Sequence, residues 1–157
     1  MKYLFVLVTM ILCGQDLIGQ SFPNSKKALD SLYALNIQKS KINNVYIPRD
    51  LEDAHKRLTK LTPVDAILKF KNGQEKDVCM KLHFGIGKWM IVNWNFYEGS
   101  RLSHYLKQKG VLHPDDMAQF ILRTYHRSLN NQMINEEEIT RELAVLRKKE
   151  AEYLINN

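Results

Sequence analysis

Cysteine is nearly missing from this sequence, which contains two thiols, Cys13 and Cys79, in 157 residues. Two thiols cannot build a disulfide framework of the kind that holds small secreted domains together. Also missing are the CxxC, HExxH and GxSxG motifs and any glycine-rich phosphate loop. These absences argue against a zinc site of common spacing, a serine hydrolase of the usual type and a nucleotide-binding loop.

Long hydrophobic runs are also scarce, and the one at residues 3–13 is too short to span a bilayer stably. It follows Lys2, and a basic start before an apolar run of this length is typical of an export signal. We therefore expect residues 1–19 to be a signal peptide and the protein to be exported, to the periplasm or outside the cell. A lipid anchor at Cys13 is the less favoured alternative, because Leu12 stands where processing prefers a small residue. Loss of this segment leaves Cys79, which we expect to be a buried small hydrophobe, with disulfide-linked dimers as the alternative.

Charge of one sign is not concentrated anywhere. The chain has 23 basic and 17 acidic residues, a net charge of +6, and the two signs are interleaved along its length. A nucleic-acid partner requires basic residues clustered on one face, so no nucleic-acid binding is expected. The mild positive charge suits an acidic surface or an acidic partner.

Alternating apolar and polar residues, the pattern of a β-sheet, are missing as well, and "MIVNW" at 90–94 is the only strand-like segment. Apolar residues recur instead at helical spacing, as in the stripe of Leu51, His55, Leu58 and Leu61. Capping and stop signals predict helices that begin near residues 48, 62, 75, 100, 113 and 135. The sequence thus predicts an all-α fold: a polar tether at 20–44 and a single compact helical domain of about six helices at 45–157.

The segment "HFGIGKWMIVNWNFYEGSRLSHYL", residues 83–106, concentrates tryptophan, histidine and glycine. The interpretation that composition favours is packing, with both tryptophans filling the core where Gly85 and Gly87 let helices approach closely. The alternative is a groove in which aromatic faces, amides and a guanidinium bind a polar ligand such as a sugar or a carboxylate. The ligand-binding residues of that alternative are Trp89, Asn93, Trp94, Arg101 and Tyr105.

The sequence "HPDD" at 113–116 also has two explanations. Proline at the first helical position and two aspartates in the first turn are favourable at a helix start, each acid contributing about 0.3–1 kcal/mol. This explanation is the favoured one. The alternative is an acid–base or metal centre, which requires convergence of side chains from several helices. Its catalytic candidates are His83, His113, Asp115, Asp116 and His126, and no cofactor or metal is predicted with confidence from their spacing.

Four blocks of sequence, "IPRDLEDAHKRL", "HFGIGKWMIVNWNFYEGSRLSHYL", "GVLHPDDM" and "ILRTYHRSLN", resemble an uncharacterised domain family of bacterial proteins. The family signature is HFGxGxW…W…GSRLxxY…HPDDM…YHRxLN, and the similarity covers about residues 45–135. The resemblance implies a compact helical domain and no particular chemistry. The chain departs from the pattern at Ile91 and Val92, where the family has arginine and asparagine. Several matching positions are polar without an obvious packing reason, which raises the prospect of a shared site.

The function predicted from these features is that of an exported helical binding module for a protein partner or a cell-envelope ligand. It would meet the membrane only through its signal or a lipid anchor. One alternative is a cell-envelope hydrolase or metal-dependent enzyme that uses the histidines and aspartates. Another is an immunity-type inhibitor. The enzyme alternative is distinguished by geometry, because its candidate side chains must converge in a cleft.

Overall fold

The computed structural model describes residues 25–156, so the signal peptide, Cys13 and the first five residues of the expected tether lie outside the described residues. The all-α prediction is confirmed. None of the helices among residues 25–156 has the length and apolar content that a membrane crossing requires. The elements are α1 Lys26–Asn36, β1 Lys41–Ile42, β2 Val45–Tyr46, α2 Leu51–Leu61, α3 Val64–Asn72, α4 Glu75–Leu82, a π-helical turn at His83–Gly87, α5 Lys88–Asn93, α6 Arg101–Gln108, α7 Pro114–Leu129 and α8 Glu136–Ile155.

Within residues 25–156 the elements make seven continuous helices, because α4, the π turn and α5 follow one another without a break. Six of them lie in 45–157, the number predicted there. The seventh, α1, lies in the segment expected to be a tether. The hydroxyl of Tyr33 on this helix is 3.0 Å from His104 Nδ1 on α6, so α1 is docked on the domain. The segment is therefore folded from residue 26 onward.

The strand-like pattern of "MIVNW" is misleading, because residues 90–93 belong to α5. Met90, Ile91 and Trp94 are buried, and this i, i+1, i+4 spacing is one face of a helix, whereas Val92 is 71% exposed. The strand pairing in the described part of the chain is instead a two-residue hairpin, β1 with β2. Asn43 and Asn44 close it with φ values of 48° and 62°, the left-handed conformation that tight hairpins need.

The central element is α7, which contacts α2, α3, α4, the π turn, α5, α6 and α8. The helical spacing of its apolar residues predicts an inner face of Met117, Phe120, Ile121, Tyr125 and Leu129. The first four are buried and Leu129 is half-buried, which confirms that face. Full burial of such a side chain stabilises a protein by about 1.5–3 kcal/mol. The domain is therefore organised around one helix, and both of its concave regions border that helix.

The last helix, α8, is attached less deeply. The spacing of Ile139, Leu143, Leu146, Tyr153 and Leu154 predicts a buried stripe along this helix. Ile139 and Leu143 are buried, whereas Leu146, Tyr153 and Leu154 are exposed. The prediction of a buried stripe along the whole helix is wrong, because the second half of α8 extends past the side chains that cover its first half. Ion pairs supplement the short apolar contact, joining α8 to α7 through Glu138, Glu142 and Arg147.

Candidate functional site

Two of the distinctive sequence blocks meet through His83 and Asp115. The histidine begins the π turn, and its Nε2 is 3.1 Å from Asp115 Oδ1 in the first turn of α7. That helix begins at Pro114 with both aspartates in its first turn, which confirms the helix-start explanation of "HPDD". The contact therefore joins residues 32 positions apart at the border of α4, the π turn and α7.

The other catalytic candidates do not join this pair. Asp116 accepts two hydrogen bonds from Arg147, at 2.6 and 2.7 Å. His126 Nε2 is 2.9 Å from the carbonyl oxygen of Gly73, on another side of α7, and His113 is exposed. Among residues 25–156 no group of three or more histidine, cysteine or carboxylate side chains is placed to hold a metal ion. The five candidates therefore do not form one cluster, because His83 contacts Asp115 whereas Asp116 pairs with Arg147 and His126 with the Gly73 carbonyl.

The two ring nitrogens of His83 have different surroundings. Its Nε2 is engaged by Asp115, and its Nδ1 is buried without a hydrogen-bond partner. A general base needs a nitrogen that can reach the substrate proton directly or through one water molecule. Of the two nitrogens, Nδ1 is the one without a hydrogen-bond partner, and it is buried, while the Nε2 contact joins the π turn to the first turn of α7.

A wide cleft of about 1020 Å³ lies beside this pair, between α4 with the π turn and α8. Asp115 and Asp116 line it together with His83. Exposed apolar side chains stand on both walls: Met80 and Phe84 on one, Val145 and Leu146 on the other. The cleft thus gathers three of the five catalytic candidates, while its second wall depends on the weakly buried α8.

The two tryptophans of the predicted ligand-binding face differ in burial. Trp94 is fully buried, and its ring meets that of Trp89 edge to face with centroids 5.8 Å apart. Trp89 remains 36% exposed, and Asn93 donates a hydrogen bond to the Trp89 carbonyl within the same helix. Because Trp94 has no surface to offer a ligand, the packing interpretation accounts for it.

Arg101 is occupied by the backbone. Its Nε donates a 2.8 Å hydrogen bond to the Ile47 carbonyl, Nη2 donates a second one to the same oxygen, and the guanidinium lies 5.1 Å from the centre of the Tyr46 ring. These contacts fix the chain just before α2. Tyr105 is half-buried, with the ammonium group of Lys109 5.0 Å from its ring centre. The five residues of the predicted face therefore do not share one open surface.

The sequence does not predict the second concave region. It is a pocket of about 370 Å³, open to solvent, between α2, α3, α4, the π turn and α7. Phe70 and Tyr125 stack at its base with ring centroids 5.8 Å apart, and the Tyr125 hydroxyl is 2.9 Å from Thr59 Oγ1. Its walls are almost wholly apolar, and the lining residues are Leu58, Thr62, Ala66, Ile67, Lys69, Phe70, Val78, Lys81, Leu82, Ile86, Leu122 and Tyr125.

The charged residues of this pocket are two lysines. Lys69 Nζ is 3.9 Å from an Asp65 carboxylate oxygen, too far for a hydrogen bond, and its side chain is 83% exposed. Lys81 forms no ion pair with a carboxylate among residues 25–156. No acidic side chain lines the pocket. Lys69 and Lys81 are therefore the charged residues among those that line this apolar pocket.

Burial sets the titration of two side chains close to these concave regions. The ring of His55 lies 5.4 Å from that of Tyr125, its Nε2 is 3.0 Å from Thr124 Oγ1, and burial lowers the pKa of His55 to about 4. Burial likewise raises the pKa of the Cys79 thiol to about 12. Cys79 is 1% exposed, which confirms the expectation of a buried small hydrophobe.

The model of a domain of unknown function, DUF6794, matches residues 47–129. The chain belongs to this family. No curated protein and no solved structure matches it.

The match separates the two concave regions. All twelve residues that line the 370 Å³ pocket fall within the DUF6794 domain, from Leu58 to Tyr125. The wide cleft takes one wall from α8, which lies beyond residue 129. The pocket is therefore a property of the DUF6794 domain itself. A sequence signal for it existed in the apolar side of α3, at Ala66, Ile67 and Phe70, but that side also suits ordinary core packing.

Proposed function

We propose that the DUF6794 domain of this protein is a binding module that holds one aliphatic chain in the pocket between α2, α3, α4, the π turn and α7. The observation that carries the proposal is an open pocket with apolar walls built entirely from the matched residues. Water in such a cavity lacks the two to four polar partners that would hold it, so an apolar occupant is favoured.

Pocket size supports a single chain. Small-molecule sites usually measure about 300–1,000 Å³, and 370 Å³ is near the lower end of that range. A double-chain lipid would leave much of its apolar surface outside. Of the two kinds of binding module predicted from the sequence, we thus propose the one that binds a cell-envelope ligand rather than a protein partner. Export to the periplasm or outside the cell is part of this proposal. The hydrolase alternative has less support because its histidines are separated, and the inhibitor alternative has no particular surface in its favour.

The first experiment is a chain-length series with uncharged alcohols, from hexanol to octanol and decanol, titrated calorimetrically into the purified protein. Each buried methylene contributes about 0.8 kcal/mol, so two more carbons should tighten binding about fifteenfold until the pocket is full. An absence of binding, or an affinity that ignores chain length, would remove the proposal.

A matched pair of variants locates the binding. Ala66→Phe places a ring in the pocket wall from a half-buried position, and should weaken decanol binding at least tenfold with little change in Tm. Ala34→Phe makes the same change at an exposed position of α1 and should bind like the unmodified protein. Equal binding by both variants would place the alcohols elsewhere on the molecule.

A further inference from the structure

We infer that the occupant of the pocket is a medium-chain fatty acid whose carboxylate is held at the mouth by Lys69 and Lys81. This inference rests on the proposed function, which concerns only the aliphatic chain of the ligand. It adds the head group and therefore the class of ligand. Both lysines line the pocket, they come from different helices, and no carboxylate side chain lines it to oppose them.

Both ammonium groups are available to a ligand. The one ion pair of Lys69 in the described part of the chain spans 3.9 Å between highly exposed side chains, and exposed pairs contribute about 0–1 kcal/mol. Lys81 has no carboxylate partner among residues 25–156. Lysine can lay its methylene groups along an apolar wall while the ammonium group stays in water, as an amphiphile's head group requires.

Lysine near the end of a helix has a second explanation, since a cation there compensates the helix dipole. Lys71, also in the last turn of α3, suffices for that purpose and does not line the pocket. Lys81 is followed without a break by the π turn and α5, so no free helix end lies beside it. The dipole therefore does not explain why Lys69 and Lys81 both line the pocket. Two positive charges around one apolar opening favour an anionic amphiphile over a neutral or cationic one of equal length.

A fatty acid fits these features better than a phospholipid. The volume suits one chain, and a lysine ammonium group is a point charge that pairs with a single carboxylate without the planar fork that arginine offers to phosphate. Anionic membrane surfaces and the apolar segment at residues 3–13 of this chain are the competing occupants.

The test compares three ligands with the same ten-carbon chain below their micelle concentrations: decanoate, decanol and decyltrimethylammonium. Decanoate should bind about four- to twenty-five-fold more tightly than decanol, and decyltrimethylammonium more weakly than decanol. The advantage of decanoate should shrink in 1 M NaCl because screening weakens exposed charge pairs.

Variants assign the effect to the two lysines. Lys69→Gln and Lys81→Gln should each weaken decanoate binding about two- to fivefold more than they weaken decanol binding. Lys76→Gln is the matched control, because Lys76 is also on α4 but lines the wide cleft rather than the pocket. Loss of decanoate affinity in the control as large as in Lys81→Gln would point to net charge and overturn the assignment.

The outcomes separate the two proposals. If decanol and decanoate bind equally well, the head-group inference is overturned and the proposed function stands. If neither binds, the proposed function fails with it. Phosphatidylglycerol vesicles and a peptide of residues 3–13 are tested in competition with decanol. Tighter, lysine-dependent binding of either one than of decanoate would replace the fatty acid as occupant and overturn the inference.

Discussion

Replacement of Glu75 by glutamine tests how α8 is held to the DUF6794 domain. Glu75 begins α4, and its two carboxylate oxygens accept hydrogen bonds from Arg123 Nε and Arg127 Nε, both at 2.9 Å. The same arginines reach Glu142 and Glu138 on α8, at 2.7 and 3.6 Å. One carboxylate thus orients both arginines that bind the last helix.

The magnitude follows from partial burial. The side chain of Glu75 is 21% exposed and that of each arginine is 14% exposed. An exposed ion pair contributes about 0–1 kcal/mol to stability, and breaking a buried one costs about 3–5 kcal/mol. The pairs of Glu75 lie between these two cases. Glutamine keeps one acceptor oxygen and loses the charge. We therefore expect Glu75→Gln to lower the free energy of unfolding by about 2 kcal/mol at pH 7.

The effect must also depend on pH. Partial burial alone would raise the pKa of Glu75, but the hydrogen bonds and charges of Arg127 and Arg123 outweigh it and bring the pKa below its usual range. Because the folded pKa is the lower one, the stabilisation is complete above the unfolded pKa of about 4.3 and is lost as pH falls through the folded value. The difference between Glu75→Gln and the unmodified protein should therefore be smaller at pH 3 than at pH 7.

Urea unfolding followed by circular dichroism at pH 7, 5 and 3 measures both effects. Glu142→Gln serves as control, since Glu142 is 49% exposed and should change stability by less than about 1 kcal/mol. A Glu75→Gln protein within 0.5 kcal/mol of the unmodified one at pH 7 (about the spread of neutral surface changes), or a difference that does not vary with pH, would refute this account of the network.

Three further predictions concern single residues. The φ of Gly99 is +97°, and a Cβ there would lie 2.6 Å from Tyr33 Cε2 on α1. Gly99→Ala should therefore lower the free energy of unfolding by more than about 1 kcal/mol and make the α1 amides exchange faster with solvent hydrogen. Unchanged protection of those amides would contradict the docking of α1. The pKa of His55 is lower in the folded than in the unfolded protein, so the free energy of unfolding should fall by about 3 kcal/mol between pH 6.5 and pH 4. The Tm of His55→Gln should vary less with pH over that range. Arg101→Met should lower the free energy of unfolding by about 1.5–3 kcal/mol, because the hydrogen bonds to the Ile47 carbonyl are lost, and decanol should bind as before. An unchanged Tm together with lost ligand binding would restore the predicted ligand-binding role of Arg101.

Helix positions were predictable where local chemistry decides them. Pro114 begins α7, and Asn135 caps α8 by accepting a hydrogen bond from the Glu138 backbone amide, both as expected. The helix at 90–93 was not predictable, because five apolar-rich residues suit a buried strand and a buried helix equally. The packing of α7 against α5 and the π turn decides between them, and sequence periodicity carries no information about that contact.

The candidate site was harder to predict, because its residues were assigned to the core correctly but their incomplete coverage could not be seen. Leu58 and Phe70 were placed on inward faces, and both are buried. Ala66 and Ile67 share the stripe of Phe70 yet remain half-exposed, because no helix among residues 25–156 covers that end of α3. A pocket forms where an apolar helix face is left uncovered by other elements. The periodicity of a single helix shows which face is apolar but does not show whether another element covers it.

The polar signature residues and the apolar pocket are connected through the π turn. The ring of His83 lies so close to Gly87 that a Cβ there would be 3.2 Å from its Nδ1, so glycine at 87 gives room to a histidine that Asp115 holds from the other side. Among residues 25–156 no atom would lie within 4 Å of a Cβ at Gly85, and the atoms nearest Gly87 belong to His83 and Leu82 of the same segment. The expected close approach of another helix at these glycines is therefore wrong. The same turn carries Ile86 into the pocket wall. Histidine, glycine and aspartate can therefore shape an apolar site that none of them lines, which gives each of them a structural reason for its place in the motif.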